Sequence, residues 1–188
     1  MGTRGFLGFV ANGHETIAYN QFDSYPDALG IAVLDYARSI EDMDAAKRQA
    51  AAIVHVSNDV PPTDEQIEAL KQYANMSVGA RNDRPDWYQL LRETQGDPAA
   101  TLAAGHAEHH PDWPADSLFC EWGYLIDFDR GVLQVYEGFQ RSPHTAGRFH
   151  DRKGENAQGY YPVRLIATWA LDALPDDAAF VRATDPGN

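Results

Sequence analysis

The chain has one cysteine, Cys120, so no disulfide can close within it. Its apolar surroundings mark a buried structural thiol. No apolar run approaches the about 20 residues of a membrane-spanning helix. The opening Met1-Gly2-Thr3-Arg4-Gly5-Phe6 lacks the basic and long apolar regions of a secretion signal, and Phe6 stands where a myristoylation start needs Ser or Thr. A cytoplasmic location is therefore expected. Positive charge is scarce: 15 Lys and Arg against 28 Asp and Glu leave a formal charge of −13. That balance disfavours nucleic-acid phosphates and anionic lipid surfaces, while it suits solubility or a basic protein partner. Gly5-Phe6-Leu7-Gly8 opens a strand rather than a phosphate loop, and no Walker or dinucleotide fingerprint is present. No cofactor is expected, and no internal repeat occurs.

What is there reads as one globular domain over residues 1–188, with a long polar loop at 141–159 and an acidic tail at 176–188. Asn12-Gly13 between two apolar-rich runs, 5–11 and 14–20, marks a β-hairpin, because these residues adopt the positive φ angles of a two-residue turn. Pro26 and Asp27 suit the start of a helix whose apolar positions run from Leu29 to Ile40. A second helix is expected from Glu41 to about Ala52, followed by an ambiguous stretch at 53–56. Thr63 with Gln66 forms a capping-box pattern. Pro85 opens a helix carrying Trp87, Leu90 and Leu91, and Asp97-Pro98 opens another that Gly105 ends. From Leu118 to Phe128 the period becomes two, and Asp129-Arg130-Gly131 turns into a partner run, Val132 to Phe139. Tyr160 to Leu171 suggests a last strand. Two distant hairpins separated by helices imply an α+β fold, an antiparallel sheet built from the N-terminal and C-terminal hairpins with the intervening helices covering it.

The densest polar run is Tyr19-Asn20-Gln21-Phe22-Asp23-Ser24-Tyr25-Pro26. Asp23 and Ser24 can cap the helix at Pro26, yet four polar side chains between two apolar elements exceed what a cap needs and suit a ligand site. His106-Ala107-Glu108-His109-His110 with Asp112 offers metal-ligand types, but Gly105 and Pro111 bracket it as a connecting loop, and no metal is expected. Glu121 and Glu137 on facing strands can form a carboxylate pair with separated pKa values. The basic cluster from Arg148 to Lys153 is a candidate anion site.

Gly2-Thr3-Arg4-Gly5, the run 19–26 with Leu29-Gly30, the stretch from Trp87 to Asp97 and Cys120-Glu121-Trp122-Gly123-Tyr124 together resemble a family of uncharacterised bacterial and bacteriophage proteins. That resemblance implies no activity and admits a viral setting. More distantly, the start is similar to N-terminal nucleophile hydrolases, in which a freed Thr at a strand start uses its own α-amino group as base. This similarity implies Thr3 as nucleophile once Met1-Gly2 is removed, with Arg4, Asn20, Asp23, Ser24 and Glu121 around it. Two functions are thus expected: a small hydrolase acting on an amide or related bond of a small-molecule or peptide substrate, or a non-enzymatic interaction or inhibitor protein, in the bacteriophage setting that the resemblance admits, whose acidic surface engages a basic partner.

Overall fold

The computed structural model describes residues 2–79, 83–153 and 159–185. Strands β1 (Gly5–Ala11) and β2 (His14–Asn20) form the expected hairpin, with Asn12 at φ 52° and Gly13 at φ 76° in the turn. Strands β5 (Trp122–Asp127) and β6 (Val132–Glu137) form the second, and β7 (Arg164–Ala170) adds to it antiparallel. The two hairpins join through β1 and β5 into one five-stranded α+β sheet of order β2-β1-β5-β6-β7. That junction is parallel. It is permitted because nearly all the helices lie in the connection between the two strands, which is long enough to cross over.

Alternation along the strands divides the core. Leu7, Phe9, Tyr124, Ile126, Leu133 and Val135 meet the helices, whereas Phe6, Val10, Ile17, Leu125 and Tyr136 face the other way. The helical layer begins with a wide turn over Pro26–Gly30 that runs into α1 (Ile31–Ser39), followed by α2 (Met43–Ala51). The capping box expected at Thr63 opens α3 (Asp64–Leu70). The helix expected at Pro85 starts slightly later, as α4 (Trp87–Leu90), because Asp86 and Gln89 supply a second reciprocal cap. Helix α5 (Pro98–Ala104) ends at Gly105 as expected.

Three expectations are corrected. The ambiguous stretch is a strand, β3 (Val54–Val56), and His106–Glu108 is its parallel partner β4 rather than part of a loop. The expected acidic tail contributes to the core: α6 (Asp177–Thr184) buries Phe180 and Thr184 completely and packs the Phe180 ring at a tilt against Trp169. The polar loop is not a free cationic loop. Its Phe149 fills the second face of the sheet, Arg148 pairs with Asp127 and Glu15, and Arg152 pairs with Glu15. A strongly acidic protein thus uses these two cations to neutralise the buried Asp127 and the half-buried Glu15, and the candidate anion site there is occupied from within.

No helix among the described residues is long and apolar enough to cross a membrane.

Candidate functional site

Tracing the polar run from β2 shows what the residues chosen from the sequence do. Asn20 is buried and donates from Nδ2 to Ser24 Oγ at 2.8 Å and to the Phe22 carbonyl. Ser24 is wholly buried; its N–H bonds the Thr3 carbonyl at 3.2 Å and its carbonyl accepts from the Tyr124 hydroxyl at 2.9 Å. Thr3 is only 2% exposed. The Arg4 N–H faces Glu121 Oε1 at 3.3 Å, and the Glu121 N–H donates to the Arg4 carbonyl. Thr3, Asn20 and Ser24 therefore converge, and Arg4 and Glu121 meet beside them, but the hydroxyls of Thr3 and Ser24 are closed off from solvent. The Thr3 nitrogen in this chain is the amide that follows Gly2, without the basicity of a free amine.

Capping does not account for the run either. The turn at Pro26 has no side-chain cap; instead the Leu29 N–H bonds the Asp23 carbonyl. Asp23 is exposed, holds φ at 50°, and has no side-chain partner among the described residues. Glu121 and Glu137 do not form the carboxylate pair that facing strands would allow. Glu137 lies opposite Trp122 and so on the other face from Glu121, and it pairs with Arg164 at 3.0 Å.

The open space lies on the far side of Tyr19. A cavity of about 320 Å³ runs between β2, β4 and the helical segment from Tyr88 to Thr101, lined by Tyr19, Asn58, Tyr88, Gln95, Glu108 and His110 among others. Glu108 ends the strand β4 and His110 lies two residues beyond it, and both line the cavity. Glu108 Oε1 accepts from Asn58 Nδ2 at 2.7 Å, and the Asn58 side chain is itself fixed by the Trp87 N–H at 3.0 Å. Burial raises the Glu108 pKa, the nearby Asp86 charge adds to the rise, and the Asn58 hydrogen bond opposes it. Burial raises the Tyr19 pKa as well, against the charges of Arg4 and Arg92. His110 keeps part of its ring in solvent, yet the atoms packed around it still lower its pKa. The cleft thus holds a carboxyl more basic than usual, a protonated phenol and a neutral imidazole. The Tyr88 hydroxyl donates to Gln21 at 2.6 Å, which ties the polar run to the cleft wall.

Beside the cleft, three imidazoles fasten the small β3-β4 sheet to β2. His55 stacks between His14 and His109, with centroids 4.4 and 4.1 Å away. His109 Nδ1 accepts the Ile17 N–H at 3.0 Å, and the His110 N–H donates to the Ile17 carbonyl, so this segment covers the open edge of the hairpin. The bond from Ile17 requires the Nδ1 lone pair, hence an uncharged ring. Burial first, then His55, lower the His109 pKa to about 4, with Glu15 opposing. No group of three or more His, Cys, Asp or Glu side chains among the described residues could hold a metal ion.

Unfolded His109 titrates near 6.5 and folded His109 near 4. The unfolded chain therefore binds more protons between those values, and stability is lost as pH falls from about 6.5 to about 4. Melting temperatures across that range are expected to fall less steeply in His109→Asn, whose amide oxygen can accept from Ile17 without titrating.

Sequence reasoning missed Glu108 as a cleft residue because it took the histidine-rich stretch for a loop. The signal was there in weak form: apolar Ala107 alternates with His106 and Glu108, but over three residues that period is too short to separate from chance.

No family model matches the chain, and no curated protein or solved structure matches it.

Proposed function

We propose that the chain is a small hydrolase acting on an amide or related bond, with its reacting centre in the Tyr19–Glu108 cleft rather than at Thr3. The observation that carries this reading is Glu108, a partly buried carboxyl of raised pKa that lines a cavity and is held by a single amide from Asn58. A base whose pKa moves toward neutrality accepts a proton from water efficiently under physiological conditions. In the proposed step water attacks the carbonyl carbon as Glu108 takes its proton, and the Tyr19 hydroxyl donates a hydrogen bond to the developing oxyanion. The C–N bond then breaks as the proton passes from Glu108 to the leaving nitrogen. Burial favours the protonated phenol of Tyr19, which keeps it a donor.

The test is turnover of N-acyl anilides, dipeptides and primary carboxamides by wild type and Glu108→Gln. Turnover of at least one class, falling about a hundredfold in the variant with an unchanged melting temperature, is expected for loss of a general base. The wild-type rate should rise with pH through a midpoint above the ordinary carboxylate value. No turnover across the three classes, or an equal rate in Glu108→Gln, defeats the reading.

The second reading, a non-enzymatic protein that engages a basic partner, is favoured by the net charge of −13 and by Phe22, Tyr25 and Phe139, each about half exposed. Partly exposed aromatic rings are typical anchors of protein interfaces. Such binding would weaken as salt screens the charges.

A further inference from the structure

Next to the cleft is a second cavity, also of about 320 Å³, that shares Gln95 and Gly96 with it and adds Asn20, Phe22, Asp23 and Arg92. Two opposite charges line this pocket without meeting each other. Among the described residues Arg92 has no carboxylate within ion-pair distance. Its Nη1 donates to Gln95 Oε1 at 2.8 Å, and its guanidinium lies 5.6 Å from the centre of the Phe22 ring and 5.9 Å from that of Tyr88. A guanidinium held against aromatic rings and tied at one nitrogen still presents donors in the fixed fork that suits a carboxylate. Arg38, Lys47, Lys71, Arg84, Arg148, Arg152 and Arg164 each hold a carboxylate of this chain within ion-pair distance, whereas Arg92 turns its guanidinium to a pocket wall. Asp23, on the same pocket, likewise has no side-chain partner among the described residues and is held in a left-handed conformation that costs a non-glycine residue free energy.

We propose that this pocket receives the zwitterionic head of an α-amino acid, its carboxylate on Arg92 and its ammonium on Asp23, while the side chain crosses Gln95-Gly96 into the cleft. One positive and one negative group balance a zwitterion, whereas a phosphate dianion would add charge that a single guanidinium does not neutralise in so acidic a protein. Gly96 suits the crossing point. It holds φ at 76°, and a Cβ there would stand 3.2 Å from Asn20 Oδ1, so a larger residue would narrow the passage between the two cavities. As a statement of substrate class this rests on the hydrolase reading, but head-group binding stands or falls separately.

The probe is L-norleucine, whose side chain has no bond to hydrolyse, titrated into the full chain labelled with ¹⁵N at constant ionic strength, beside N-acetyl-L-norleucine, L-norleucinamide and inorganic phosphate. L-norleucine is expected to shift the Gln95 and Gly96 amide signals and to bind at least about tenfold more tightly than either blocked form. Phosphate should not compete. Arg92→Met should erase the preference over the amide, and Asp23→Asn, which tolerates the same backbone, the preference over the acetyl form. Equal affinity for all three organic probes, absence of binding, or unaltered preferences in both variants overturns the proposal. A chain that binds the probe with these preferences but hydrolyses nothing refutes the hydrolase and leaves the head-group site standing.

Discussion

Replacing Arg148 with methionine is expected to destabilise the protein by about 3 kcal/mol, the cost of leaving a buried carboxylate without its cation. Asp127 ends β5 with its side chain 1% exposed. Its Oδ1 accepts the N–H groups of Asp129 and Arg130 at 3.1 and 3.0 Å, and Oδ2 meets Arg148 Nη1 at 3.1 Å. The same guanidinium reaches Glu15 on β2 through Nε at 3.3 Å, and Glu15 is held again by Arg152 at 2.8 Å. Arg148 thus links the second hairpin to the first from a stretch, residues 138–153, with neither helix nor strand. Methionine keeps most of the aliphatic packing and removes the charge. Urea unfolding of a double-mutant cycle separates the two contributions. In an Asp127→Asn background, where the backbone bonds can persist and the charge is gone, Arg148→Met should cost less than about 1 kcal/mol. Equal costs in both backgrounds would mean that Arg148 does not act through the charge of Asp127.

Gly5→Ala is expected to cost about 3 kcal/mol or more, toward the upper end of overpacking penalties. A Cβ on Gly5 would stand 2.2 Å from the Trp122 carbonyl oxygen and 2.9 Å from Ser24 Cβ. Both obstacles are fixed: Trp122 is the register partner of Gly5 across the parallel β1-β5 junction, and Ser24 is buried beneath it. Relief requires the ladder itself to move apart, which would loosen the β1-β5 seam that joins the two hairpins in the sheet. Gly131→Ala is the control. Its φ of 65° makes alanine unfavourable, but nothing lies within 4 Å of the added methyl, so a cost near 1 kcal/mol is expected. Similar denaturation midpoints for the two variants would show that Gly5 is replaceable and that the β1-β5 seam is looser than its register implies.

The candidate site was legible in the sequence only at its edge. The run from Tyr19 to Ser24 does border both cavities, through Tyr19 on one side and Asn20, Phe22 and Asp23 on the other. Thr3, Arg4 and Glu121 were brought to the same end of the sheet as Asn20 and Ser24, yet as a hydrogen-bonded closure rather than a reacting centre. Hydroxyl and amide side chains between apolar elements read alike whether they satisfy buried backbone or face a ligand. The difference is solvent access, which depends on residues far away in sequence. Glu108 acquires its raised pKa from burial and from Asp86, and Arg92 comes to line a pocket beside Phe22 and Asp23, far from it in sequence.

Local chemistry settled the Asn12-Gly13 turn, the Thr63-Gln66 cap, the Asp97-to-Gly105 helix and the two hairpins, because turn dihedrals, caps and period-two alternation are properties of a few adjacent residues. Composition likewise determined the acidic character and the absence of an internal disulfide. Only the assembled chain decided that β1 and β5 pair in parallel, that Arg148 and Arg152 close on Glu15 and Asp127, and that Phe180 is core rather than tail. Each of these is a contact across more than a hundred residues, except the short links Arg148–Asp127 and Phe180–Trp169, and even those require the sheet as a platform. Such contacts form because burial and charge neutralisation reward whichever distant partner the fold delivers, and no local pattern names that partner.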